Sequence, residues 1–340
     1  MNKFVISAIK SREIIDNRGT PTIRAYVCVG DEFWGQADVP CGSSTGTYEA
    51  KELRDGDSRY GGKGVRKAIR NIQEIIYPCL RGMDATSQRQ IDYAMIELDG
   101  TDDKSKLGAN AILGVSLAVA KAAAAARRLG LYKYLNDNAY VLPVPQACMI
   151  NGGIHAGNDL EFQEFCVMPV GAESFTEAVR MLCEINLYLG DLLAGTFGKG
   201  ATNAGEDGGY APPAESAAEA MSVLTEAVQK AGYGDQVVYG LDVAATHFFQ
   251  KKSGRYLLEG SKKTPREMIE SLKQLVAEYP AIVSLEDPLH EDDFEGTREI
   301  TKALKDTMII GDDLFTTISS DCGRVWQNRR ETPFSGRSIR

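Results

Sequence analysis

Three short apolar runs end in acid: Gly240-Leu241-Asp242, Ser284-Leu285-Glu286-Asp287-Pro288 and Ile310-Gly311-Asp312-Asp313. Each places a carboxylate where a strand-like segment gives way to a loop. Carboxylates gathered at one point repel one another and hold their protons more tightly. A hard divalent cation relieves that repulsion, and an all-oxygen ligand set favours Mg²⁺ over zinc. Any one of these acids alone reads as well as a helix N-cap or loop residue. Recurrence in consecutive strand–helix units favours convergence on a metal.

Two loops carry further chemistry. Cys41-Gly42-Ser43-Ser44-Thr45-Gly46 is small, polar and glycine-bearing, the composition of a lid that stands open until a ligand is bound. Asn151-Gly152-Gly153-Ile154-His155-Ala156-Gly157 sets one of only three histidines among glycines. Gln163-Glu164 and Glu206-Asp207-Gly208-Gly209 add polar groups at probable strand ends. Taken singly, each loop fits a plain surface segment as readily as a site.

The segments that must position these groups change rhythm along the chain. Phe4–Lys10, Thr22–Val29 and Phe33–Val39, the last after a Gly30-Asp31-Glu32 turn, predict a β-meander. Helical patterns follow at Gly64–Ile76, Ser87–Leu98 and Ala109–Leu129. Leu142-Pro143-Val144-Pro145 stays extended and reads as an interdomain linker. Beyond it, strands at Val237–Asp242, Ile282–Glu286 and Met308–Gly311 alternate with helices at Ser174–Leu193, Ala214–Lys230 and Pro265–Tyr279. That alternation predicts parallel pairing, in a closed barrel or an open sheet. In a barrel the strand C-termini share one face, where these acids would meet. No GxGxxG follows a strand, which removes the main support for a nucleotide-binding open sheet.

Composition narrows the classes. The 340 residues, 43% hydrophobic and 25% charged, suffice for a small domain beside a barrel-sized one. A net charge of −9 argues against a nucleic-acid partner, because phosphate backbones need clustered Lys and Arg. The seven scattered cysteines, with no CxxC, read as reduced thiols of a cytoplasmic protein. No charged-then-apolar leader opens the chain. Asn110, Ser116 and Lys121 interrupt the alanine-rich 109–126 stretch, which reads as a close-packed helix and not a membrane span.

In order along the chain, these motifs resemble enolase. The matches run from Met1 to about Thr317 and include Asp16-Asn17-Arg18-Gly19, Ser44-Thr45-Gly46, Glu52-Leu53-Arg54-Asp55-Gly56 and the stretch from Leu107 to Gly114. They continue with Asn151-Gly152-Gly153, His155-Ala156-Gly157, Gln163-Glu164-Phe165, Leu241-Asp242-Val243-Ala244, Ser284-Leu285-Glu286-Asp287-Pro288 and Asp312-Asp313-Leu314. The resemblance implies an α/β fold: a smaller α+β domain over residues 1–136, then an enolase-type α/β barrel with rearranged first strands over 137–317. It implies Mg²⁺-dependent, reversible dehydration of 2-phosphoglycerate to phosphoenolpyruvate, in glycolysis and gluconeogenesis. Asp242, Glu286 and Asp312 match the ligands of the tightly bound metal, and Ser44 the ligand of a second. Glu286 and Asp312 also face the substrate. Gln163 and Glu164 match the pair beside the leaving hydroxyl, and His155 a histidine that closes on the substrate. The family's general acid is the glutamate of Gly-Asp-Glu-Gly-Gly. Here the order is Gly205-Glu206-Asp207-Gly208-Gly209, so Asp207 takes the acid's place with one methylene fewer. A small-molecule substrate, a homodimer and a cytoplasmic setting, with cell-surface or secreted forms in some members, complete what the family implies.

The resemblance stops after Thr317, before the strands that carry the family's base lysine and phosphate-binding arginine. On this reading the barrel is incomplete, and residues 318–340 form a non-family, Arg-rich tail expected to be disordered. Regrouping plausible codons from Asp321 onward restores enolase-like sequence, which points to a frameshift near Thr317. A chain without the base is expected to be inactive. The alternatives are therefore a non-catalytic protein derived from enolase and, more distantly, another dehydratase or racemase of the wider superfamily.

Overall fold

The computed structural model describes residues 4–42 and 44–316. The expected tail at 318–340 lies outside the described residues. Contacts divide the described residues into two units: residues up to 42 with 48–141, and residues 44–47 with 142 onward.

In the first unit β1 (Ile6–Ile15), β2 (Pro21–Val29) and β3 (Phe33–Asp38) form an antiparallel meander in that order. Its turns explain two motifs. Asp16 Oδ1 accepts the N–H of Arg18 (2.9 Å) and of Thr20 (2.8 Å), which folds Asp16-Asn17-Arg18-Gly19 into the β1–β2 reversal. Gly30 and Asp31, with φ of 60° and 62°, turn β2 into β3. Helices α1 (Arg66–Asn71), continued through a π turn at 72–76 into α2 (Tyr77–Leu80), α3 (Gln88–Asp99), α4 (Ala109–Ala126) and α5 (Leu131–Leu135) follow. Helix α4 is long and apolar enough to cross a membrane, but 67% of it is buried inside the protein. It presses so closely on the sheet that a Cβ at Gly35 would lie 2.1 Å from the Ala118 carbonyl. Small residues on α4 therefore serve packing. Asn110 bonds both backbone groups of Leu53, at 3.1 and 3.2 Å, so that motif too is structural.

The second unit is built on a five-stranded sheet in the order β11-β10-β6-β5-β4. Its strands are β4 (Ala147–Asn151), β5 (Glu164–Met168), β6 (Val238–Asp242), β10 (Ile282–Glu286) and β11 (Met308–Ile310). A small antiparallel sheet, β7 (Phe249–Gln250), β8 (Arg255–Leu258) and β9 (Ser261–Lys263), intervenes in the chain. Helices α6 (Phe175–Phe197), α7 (Ala217–Lys230), α8 (Pro265–Glu278) and α9 (Phe294–Ala303) contribute their apolar faces to its core. Ser174, Ser216 and Thr264 cap α6, α7 and α8 by accepting the N–H three residues on.

Pairing is parallel for β6–β10 and β10–β11, but β5 runs antiparallel to both β4 and β6. The three strands of the alternation, now β6, β10 and β11, thus pair in parallel as expected, and the exception is β5, a strand the alternation did not include. A loop without a long helix joins β4 to β5, so the chain simply reverses. Two helices, α6 and α7, then separate β5 from β6, and an even number of helices returns the chain to the end it left. The resemblance to a barrel with rearranged first strands anticipates this.

Candidate active site

The strand register builds the site. Glu164 on β5 lies opposite Asp242 on β6, and Asp242 lies opposite Glu286 on β10. Three carboxylates therefore form a row across three adjacent strands. Ile310 on β11 pairs with Glu286, which puts Asp312 two residues past the same level. Below the row, a Cβ at Gly240 would sit 2.6 Å from Ser284 Oγ, so a larger residue at this position on β6 would displace the Ser284 hydroxyl.

Electrostatics follow from burial and proximity. Burial first, then the charges of Glu286 and Glu164, push Asp242 up to about 8. Burial, then Asp312, push Glu286 up to about 7. Such a set is costly to ionise and well suited to a hard cation. The fit has a limit: Asp242, Glu286 and Asp312 are not among the described groups whose ligand atoms all lie within 4.8 Å of one another. Gln163, just before β5, donates to Asp242 Oδ2 at 2.8 Å, and its buried Oε1 has no hydrogen-bond partner among the described residues.

On the other side of Glu164, His155, Glu164 and Asp207 do bring their ligand atoms within 4.8 Å. His155 Nδ1 contacts Asp207 Oδ2 and lies 3.6 Å from Glu164 Oε1. Burial works against the imidazolium, but the two carboxylates outweigh it and raise the His155 pKa. The hydrogen bond from His155 lowers that of Glu164. Burial, then Glu164, raise that of Asp207. Neighbouring carboxyls thus diverge, one held ionised and one holding its proton longer.

The loop around Asp207 owes its shape to glycine. Gly208 has φ +86°, and a Cβ at Gly205 or Gly209 would meet the Asn151 side chain at 2.6 or 2.9 Å. Asn151, fully buried, donates to Asp207 Oδ2 at 3.3 Å.

Ser44 Oγ lies 3.4 Å from Gln163 Nε2. The segment from Ser44 to Thr47 has further partners within its own unit. Buried Glu291 accepts from both the N–H (2.8 Å) and the hydroxyl (2.5 Å) of Thr47. A Cβ at Gly46 would lie 2.9 Å from Asp313 Oδ1. A buried carboxylate needs such donors, and this loop supplies them.

Sequence reasoning missed three supporting residues. Asp287, pushed up to about 6 by burial, accepts the N–H groups of Asp312 (3.2 Å) and Asp313 (2.8 Å) and so sets the turn carrying Asp312. Glu291 and Asn151 are the others. Asp287 and Asn151 stood inside quoted motifs, whereas nothing local distinguished Glu291 from a surface acid.

Two family models match the chain: "Enolase, N-terminal domain" over residues 6–135 and "Enolase, C-terminal TIM barrel domain" over 139–325. Among curated proteins the chain is 55% identical to the enolase of Methanocaldococcus jannaschii, over 93% of this chain and 74% of that protein. It is 54% identical to the enolase of Methanopyrus kandleri, over 92% and 74%. The enolase of Thermococcus gammatolerans is 52% identical, over 93% and 74%.

Proposed function

The chain belongs to the enolase family of lyases, and on that premise we propose how its residues serve the dehydration of 2-phosphoglycerate to phosphoenolpyruvate. Asp242, Glu286 and Asp312 would hold a Mg²⁺ ion, with Ser44 serving a second. The supporting observation is the row Glu164–Asp242–Glu286, fixed by strand register and ending beside Asp312. Bound there, the cation would supply positive charge opposite a substrate carboxylate, while the lysine that takes the neighbouring proton in the family has no counterpart among the matched motifs up to Thr317.

The other roles follow from protonation. Asp207, with its proton held longer than usual, is placed to give that proton to the departing hydroxyl. Glu164 stays ionised and keeps the His155 imidazolium in place against the substrate. Gln163 orients Asp242, and Glu286 and Asp312 face the substrate from the metal side. A homodimer and a cytoplasmic setting are proposed from the family alone. Neither a non-catalytic derivative nor another superfamily dehydratase is favoured by relatives that all carry the enolase name.

Purified protein mixed with Mg²⁺ and 2-phosphoglycerate, followed by the ultraviolet absorbance of phosphoenolpyruvate, tests the activity. Mg²⁺-dependent turnover is the result the family predicts and would overturn the expectation of an inactive chain; on that outcome Asp207→Asn should lose roughly 10²–10⁴-fold in kcat. Absence of turnover in protein that binds Mg²⁺ would leave the non-catalytic derivative instead.

A further inference from the structure

We propose that Cys148, Cys166 and Glu164 form a further metal site, distinct from the Mg²⁺ sites above and selective for a soft cation of the zinc–cadmium class. Cys148 and Cys166 are directly opposed across the antiparallel β4–β5 pair. Opposed residues share one face of a sheet with Cβ atoms about 4.5–5.5 Å apart. Glu164 is two residues from Cys166 on β5 and so shares that face as well. The two Sγ atoms and a Glu164 carboxylate oxygen all lie within 4.8 Å of one another. Cys166 Sγ and Glu164 Oε2 are 3.5 Å apart, and both cysteines are free thiols.

The donor set decides the ion. Thiolate ligands at about 2.3 Å select zinc-like cations, whereas the neighbouring Asp242–Glu286–Asp312 set offers only oxygen and suits Mg²⁺. Two thiolates and one carboxylate leave a fourth, tetrahedral position for water. Cys166 is buried but Cys148 is only partly so. The buried Gly209 packs against Cys148 Sγ closely enough that a Cβ there would lie 3.0 Å from it, so an ion enters from the exposed side of Cys148. Binding replaces two thiol protons with the cation. Resting on the role of Glu164 proposed above, the loaded site withdraws that carboxylate from His155 and Asp207.

The test is a Cd²⁺ titration of the whole protein in excess Mg²⁺, reading thiolate-to-cadmium charge-transfer absorbance. One equivalent is expected to bind. The band should vanish in Cys148→Ser and in Cys166→Ser and persist in Cys183→Ser. In the unaltered protein, Cd²⁺ should shield Cys148 and Cys166 from alkylation while exposed Cys79 and Cys183 react normally. That measurement needs no variant to fold. A band that survives either serine substitution, or alkylation of Cys148 unchanged by Cd²⁺, overturns the site. Glu164→Gln should weaken Cd²⁺ by at least about tenfold. Unchanged affinity there would overturn the ligand set while leaving the catalytic reading of Glu164 intact.

Discussion

Asp242 and Glu286 make the folded protein sensitive to pH in a direction that can be worked out. Both carboxyls titrate near 4 in an unfolded chain but at about 8 and about 7 in the fold. Between those limits the folded state binds more protons than the unfolded one, so stability falls as pH rises from about 4 to 8. In EDTA the melting temperature should therefore drop across that range, and Asp242→Asn should flatten the slope. Mg²⁺ should restore stability most at the alkaline end, and only in the parent protein. A parent and Asp242→Asn with the same pH slope would contradict this reading. Asp207 offers a separate check, since carbon NMR of its carboxyl should show titration above the ordinary aspartate range. At this scale the sequence brought out the groups that strand register gathers, because strand-end acids and glycine loops announce themselves. Asp287 and Glu291 were not legible as supports, because their partners, Asp312 and Thr47, lie 25 and 244 residues away.

Elements explain which motifs are chemical and which are mechanical. Helix α4 needs Gly35 beneath it, so Gly35→Ala should cost about 1–3 kcal/mol by urea unfolding, as overpacking does. No loss would mean that helix and sheet have room to part. The Ser44–Thr47 segment depends on Glu291. Hydrogen bonds to a charged group are worth about 1.5–3 kcal/mol, so Glu291→Ala should speed amide exchange at Thr47 by at least about tenfold. Unchanged exchange would show that packing at Gly46 suffices. Helices α1, α3, α4, α6, α7 and α8 were readable from their pattern, whereas α5 and α9 were not, and the Ser216 cap starts α7 three residues later than the pattern places it. The reversal of β5 was not readable, because strand direction depends on how many helices intervene, and the alternation shows no strand at 147–151 or 164–168 to count from. The short β7–β9 sheet lacked any distinctive period.

For the whole molecule, strand register carries Asp242 and Glu286 to one level, and Asp312 must join them there to bind a single hard cation. His155, Glu164 and Asp207 form the tighter cluster and are the natural competitor for that ion. Anomalous diffraction from crystals of this protein grown with Mn²⁺ as a Mg²⁺ substitute separates the two. The predicted result is one strong peak bounded by Asp242, Glu286 and Asp312, absent in Asp242→Asn crystals. A peak seated on His155, Glu164 and Asp207 with nothing between the three strand-end acids would contradict it.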